Sequence, residues 1–153
     1  AGDRANFAKL AGALRRGKSV VPGQGTAGKS VIPAALAAEV LAKLAFLDAP
    51  KHRLLNVALP EPPTLREICD TFSAECGFPC TKSVPLALLR GASVVGDLVA
   101  RVRPNFPLTS TNLRKLTTST VVDASRLYET LPAMNWPTFA EALQPAVEYY
   151  RNV

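Results

Sequence analysis

The eight residues Gly23-Gln24-Gly25-Thr26-Ala27-Gly28-Lys29-Ser30, followed three positions later by Pro33, constrain this chain more than any other segment. They satisfy the phosphate-binding pattern G-x-x-x-x-G-K-[ST] at every fixed position. In a loop of that kind a buried strand leads in and a helix is already under way at the lysine, so that first-turn amides hold the β-phosphate. Ser19-Val20-Val21 can supply a strand and residues 34–47 a helix, but Ser30-Val31-Ile32-Pro33 between them reads as extended chain. A residue before proline is pushed toward β or polyproline geometry, which makes Ile32 a poor member of a first helical turn. Such a site also needs an acid on Mg²⁺, usually at the end of a hydrophobic strand. The later apolar run 53–59 has none, and the acids between Lys29 and Pro60, Glu39 and Asp48, fall inside or at the end of the helix. The expectation is a β-hairpin over 17–33, with Val20-Val21 pairing Val31-Ile32 and the glycines serving the turn. A nucleotide-binding protein built on Gly23–Ser30 is the least favoured class.

At 153 residues, 48% hydrophobic and 20% charged, the chain suits one globular domain spanning 1–153. Its 18 Lys and Arg against 12 acids give a net charge of +6. The excess is concentrated in 1–53, with nine basic residues and three acids, and again from Lys82 to Arg126. That bias suits an anionic partner, as scattered surface charge also would. Nucleic acid is not expected. No zinc-finger spacing occurs, and Phe7, Phe46 and Phe72 fall on apolar helical faces instead of between basic strand positions. Cys69, Cys76 and Cys80 form an odd set without CxxC, so neither a disulfide framework nor a zinc site is indicated. His52, the single histidine, reads as a loop or strand-edge residue. No apolar run approaches the roughly twenty residues of a bilayer span, and Arg15-Arg16 and Lys18 follow the first apolar residues where a signal peptide would have them precede. A cytoplasmic setting without a membrane partner is the default expectation.

Along the chain, Phe7, Leu10 and Leu14 place one apolar stripe on a basic helix over 4–16, stopped by Gly17. A second helix, 34–47, carries Leu36, Val40, Leu44 and Leu47 on one face and ends before Pro50. The run 53–59 reads as a strand buried on both faces. Thr64 with Glu67 makes a capping box for a helix that turns Leu65, Ile68, Cys69 and Phe72 inward and ends at Gly77. Residues 81–84 suggest a short strand, and 86–89 and 94–102 suggest helices. Asp123 is placed to cap a helix running through Leu131. Trp136 reads as the fastener of the chain's last helix to the core. Thr138 and Glu141 form a second capping box, opening a helix to Arg151 that Pro145 should kink or delay. The fold class is therefore α/β, a small mixed domain without the regular alternation of a complete Rossmann unit.

In order and spacing these features resemble the C-terminal, substrate-binding half of the extended short-chain dehydrogenase/reductase family, the NAD(P)-dependent epimerases and dehydratases. The resemblance rests on a basic helix before Pro22-Gly23-Gln24-Gly25, on Lys29, on the segment beginning at Asn56 and on Thr64-Leu65-Arg66-Glu67-Ile68. Residues 108–116, Asp123-Ala124-Ser125-Arg126, Trp136-Pro137-Thr138-Phe139 and the ending Glu148-Tyr149-Tyr150-Arg151 complete it, the last two being the most specific. It covers nearly the whole chain, although Pro33-Ala34-Ala35-Leu36 lacks the acids expected there. The family's glycine-rich dinucleotide motif and its Y-x-x-x-K pair are absent: Tyr128, Tyr149 and Tyr150 have no lysine four residues on. The resemblance implies no catalytic residue and no cofactor bound by this segment alone, with NAD(P) belonging to a complete enzyme. It implies a small-molecule substrate, a nucleotide-sugar or an uncharged sterol-like molecule, with Lys29 near the phosphates or sugar in the first case and Arg101 or Arg103 as a second anion contact. A missing N-terminal Rossmann half or another copy is the expected partner. A non-catalytic binding remnant is the alternative.

Overall fold

Residues 6–48, 51–104 and 106–152 are described by the computed structural model; Arg4, at the start of the expected first helix, and Pro50 lie outside them. Helix α1 (Asn6–Arg15) buries Ala8, Ala11 and Leu14 and is stopped by Gly17, whose φ of 61° is accessible to glycine without strain. Strand β1 (Val20–Pro22) pairs in parallel with β2 (Lys82–Val84), Val21 opposite Ser83, and the two form the single small sheet of the described residues. Helix α2 (Ala34–Ala45) starts directly after Pro33, and α3 (Leu65–Cys76) runs from the Thr64–Glu67 capping box to a left-handed Gly77. The two helical segments expected over 86–102 are one helix, α4 (Leu86–Val102). Helices α5 (Ser110–Thr117) and α6 (Ser125–Thr130) follow. The last helix breaks where Pro145 requires, into α7 (Phe139–Leu143), a 3₁₀ turn (Gln144–Ala146) and α8 (Val147–Arg151).

Two apolar clusters organise these elements. The larger centres on the fully buried Phe72 and joins α1, α3 and the α7–α8 tail through Ala11, Leu14, Ile68, Cys69, Leu143, Val147 and Tyr150. Its rings interlock, with Phe72 5.9 Å from Phe7 and edge-on to Tyr150 at 5.1 Å. The smaller gathers Val40 of α2 with Leu127, Leu131 and Met134, and Trp136 packs edge-on against Tyr128 at its margin. Helices α4 and α5 pair closely, and α4 turns Leu89, Ser93 and Gly96 inward.

The hairpin expected over 17–33 does not form. After the Pro22–Gly25 turn the chain runs on extended: Gly28 bridges Thr64, Lys29 bridges Thr120, and the Val31 carbonyl accepts from the Leu59 amide at 2.9 Å. Valine-rich runs fit any ladder, and β1 finds its partner in Lys82–Val84 instead. Nor is 53–59 a strand buried on both faces. It carries no ladder, Leu54 is 78% exposed, and only Ala58 and Leu59 are fully buried. Phe46 likewise leaves the apolar face assigned to it, standing 88% exposed at the C-cap of α2.

The Gly23–Ser30 segment as a candidate functional site

The glycine-rich segment is spent on the protein itself. Gly25 N–H donates to Pro22 O at 3.1 Å, closing the turn, and Gly23 N–H donates to Val84 O at 2.8 Å. Gly28 N–H donates to the Ser119 hydroxyl, Lys29 N–H to Pro63 O and Ser30 N–H to Thr120 O. The Ser30 hydroxyl accepts from the Val122 amide at 2.9 Å. A phosphate cradle needs several amides converging on an anion. Five amides here are already satisfied, and the next helix begins only at Ala34. The backbone amides of this segment therefore cannot cradle the phosphates of a mononucleotide or the pyrophosphate of a dinucleotide.

Gly25 explains why the segment is glycine-rich. Its φ is 70°, and a Cβ would meet Val21 Cγ1 at 2.4 Å and the Arg66 amide nitrogen at 3.1 Å. The bare backbone lets Gly25 O accept from Arg66 N–H at 3.0 Å, seating the turn on the first turn of α3. Arg66 reaches onward to Thr81 O and to the Ser83 hydroxyl, tying α3 to β2.

Lys29 occupies the other end of the segment. Its Nζ donates to Lys115 O at 2.9 Å and Thr118 O at 2.6 Å, across the C-terminus of α5. A cation there satisfies carbonyls left over by the helix and interacts favourably with its dipole. Partial burial draws the lysine pKa below its ordinary 10.5. An ammonium has three donors, so one remains for a ligand. Arg101 lies in the last turn of α4 and Arg103 at its C-cap, both exposed. None of the three lines the cleft of about 400 Å³ formed by Pro60, Glu61, Pro62, Pro63, Glu67, Thr71 and Phe139.

Asp123 stands one residue ahead of the position expected for it. The N-cap of α6 is Ala124, and Asp123 Oδ1 accepts from Ser125 N–H at 2.9 Å. The Ser125 amide, then its hydroxyl, hold the Asp123 carboxyl below its ordinary range. Its backbone carbonyl accepts from the Asn56 amide group at 2.8 Å, joining 53–59 to α6. His52 Nε2 is 3.7 Å from Glu129 Oε2, too long for a hydrogen bond. Cys69 is buried in the larger cluster, and burial lifts its thiol to about 11, where it is an inert packing group. No trio of His, Cys, Asp or Glu is placed to hold a metal among the described residues. Sequence reasoning missed the anchoring of Lys29 and the bond between Asn56 and Asp123, because both cross more than sixty positions. Comparison with protein families, curated proteins and solved structures finds no match for this chain.

Proposed function

We propose that this chain is the substrate-binding portion of an NAD(P)-dependent epimerase, dehydratase or reductase acting on a nucleotide-sugar or related small molecule. By itself it is catalytically incomplete. The observation that supports this reading is the contact among motifs that are separate in sequence. The Pro22–Gly25 turn is bonded to Arg66, Lys29 to the end of α5, and Asn56 to Asp123. These are the segments that carry the resemblance to the extended dehydrogenase/reductases, and they join as one unit would. In this role Lys29 holds the extended segment against α5 and offers its remaining proton to a phosphate or sugar oxygen. Hydride transfer requires NAD(P) set against the substrate, and that apparatus belongs to a partner or to a further part of the protein. The absence of a Y-x-x-x-K pair keeps a non-catalytic binding protein as the second reading.

Titrating the chain with a panel of UDP-sugars by calorimetry tests the proposal. Binding of at least one is expected, weakened about tenfold in Lys29→Met, a loss of roughly the size of one charge-assisted bond. Incubation with NAD⁺ and the same panel should give no product. Failure of every sugar to bind removes the substrate-binding reading, and turnover proportional to protein removes the claim of incompleteness.

A further inference from the structure

Helix α4 has two apolar faces, and only one of them is used. Leu89, Ser93 and Gly96 face inward, while Leu88, Val94, Val95, Leu98 and Val102 stand between 57% and 84% exposed. At 3.6 residues per turn these five fall within roughly 120° of arc, opposite the buried face. Gly91, also exposed, lies within the strip and adds no polar group to it. A monomeric surface seldom presents so continuous an aliphatic stripe without something to cover it.

Charge decides what covers it. Between residues 82 and 118 stand Lys82, Arg90, Arg101, Arg103, Arg114 and Lys115, all exposed, against the single acid Asp97. That is a local excess of five positive charges in a chain whose net charge is +6. Arg90 and Arg101 lie roughly 20–40° beyond Val94 on the helix wheel, along one edge of the stripe, and Arg103 closes its C-terminal end. Asp97, whose carboxylate accepts from Ser110 N–H at 2.9 Å and also feels the charge of Arg101, offsets one of these six charges and leaves the excess of five.

A second copy of the chain fits this face poorly. Five aliphatic side chains at roughly 100 Å² each offer at most about 500 Å² per partner, against about 800 Å² in a stable interface. Pairing two copies would also bring like charges together at the rim. An anionic bilayer reverses both terms. It accepts a short apolar face into the boundary between headgroups and acyl chains and attracts the arginines beside it. What α4 offers such a surface is an aliphatic stripe edged by arginines, the pattern of a helix that lies in the plane of the interface.

We propose that α4 docks this protein on anionic phospholipid surfaces, with Leu88, Val95, Leu98 and Val102 inserted below the headgroups and Arg90, Arg101 and Arg103 paired with lipid phosphates. Arg101 and Arg103, either of which the sequence offered as a second substrate contact, thereby meet a different anion, and Lys29 keeps the substrate role independently.

The experiment is co-sedimentation of the full chain with vesicles of phosphatidylglycerol and, separately, of phosphatidylcholine. Binding to the anionic vesicles alone is expected, weakening as salt is raised. Arg90→Gln, Arg101→Gln and Arg103→Gln together should lower it on the order of 100-fold, about fivefold per charge. Val95→Ser with Leu98→Ser should lower it at least about tenfold. All five sites are exposed, and circular dichroism checks that the variants are folded; the salt titration of the unaltered chain tests the charge argument without any variant. Equal binding to both vesicle types, no binding, or insensitivity to the three arginines overturns the proposal. So does a dimer that Val95→Ser with Leu98→Ser dissolves while no vesicle is bound, since a second copy would then cover the face. Competition by glycerol phosphate at vesicle-free concentrations would likewise turn the arginines into a soluble-phosphate site. A sugar-binding failure leaves each of these outcomes intact.

Discussion

Two glycines of α4, five positions apart, show how residue identity acquires meaning only from its neighbours. A Cβ on Gly96 would lie 1.7 Å from the Leu108 carbonyl oxygen, whereas one on Gly91 meets nothing within 4 Å. Gly96 therefore permits the close approach of the 108 segment to the helix, and Gly91 is a helix-weakening residue on an open face. Gly96→Ala is expected to destabilise by about 1–3 kcal/mol, the cost of forcing backbone apart in a packed contact. Gly91→Ala should stabilise by about 1 kcal/mol through helix propensity. Urea midpoints of the two variants check the pair, and equal shifts would mean that α4 does not pack on Leu108 as described. Lys29 makes the same point in polar terms. Its sequence context names a phosphate ligand, and its Nζ instead rests first on two carbonyls.

At the scale of elements, termini are set by side chains a few residues away. Thr138 and Glu141 exchange hydrogen bonds at the start of α7, with Thr138 N–H donating to Glu141 Oε2 at 2.8 Å. The Thr138 amide, then its hydroxyl, hold the Glu141 carboxyl below its ordinary 4.5. A carboxyl depressed in the folded state contributes stability that is complete above its unfolded value and is lost as pH falls through the folded one. Glu141→Gln should thus lower the melting temperature slightly at neutral pH, and the difference from the parent should shrink as pH drops below 4.5. A difference constant down to acid pH would show that the ionised cap is not the source. The same logic places Pro145, which removes an amide from the tail and leaves a 3₁₀ turn between α7 and α8.

For the whole molecule, the smaller cluster must hold the extended residues 55–59 without a sheet to do it. Tyr128 donates its hydroxyl to Ala58 O at 3.0 Å, and its ring meets Trp136 edge-on at 5.0 Å. Trp136 is half-buried, so Trp136→Ala is expected to cost about 2–3 kcal/mol, below the range for a fully buried ring. A thermal midpoint left unmoved would show that the indole does not fasten this part of the molecule. Leu54 and Phe46, by contrast, are exposed enough that replacing them should change solubility more than stability.

What the sequence determined by itself was most of the helices: the apolar faces of α1 and α3, both capping boxes, the stops at Gly17 and Gly77 and the break at Pro145, although not α5 or the continuity of α4. These signals act between residues at most about four apart, so the local chain contains the whole cause. The strand partners were decided only by tertiary structure. Val20–Pro22 pairs with residues 62 positions away, and Val31 meets Leu59 rather than Val21. An apolar run of three or four residues satisfies any neighbour that offers a ladder, and its own composition carries no address. The Gly23–Ser30 segment failed as a phosphate cradle for the same reason. Whether its amides are free depends on Pro63, Val84, Ser119 and Thr120, all of which reach it through the fold.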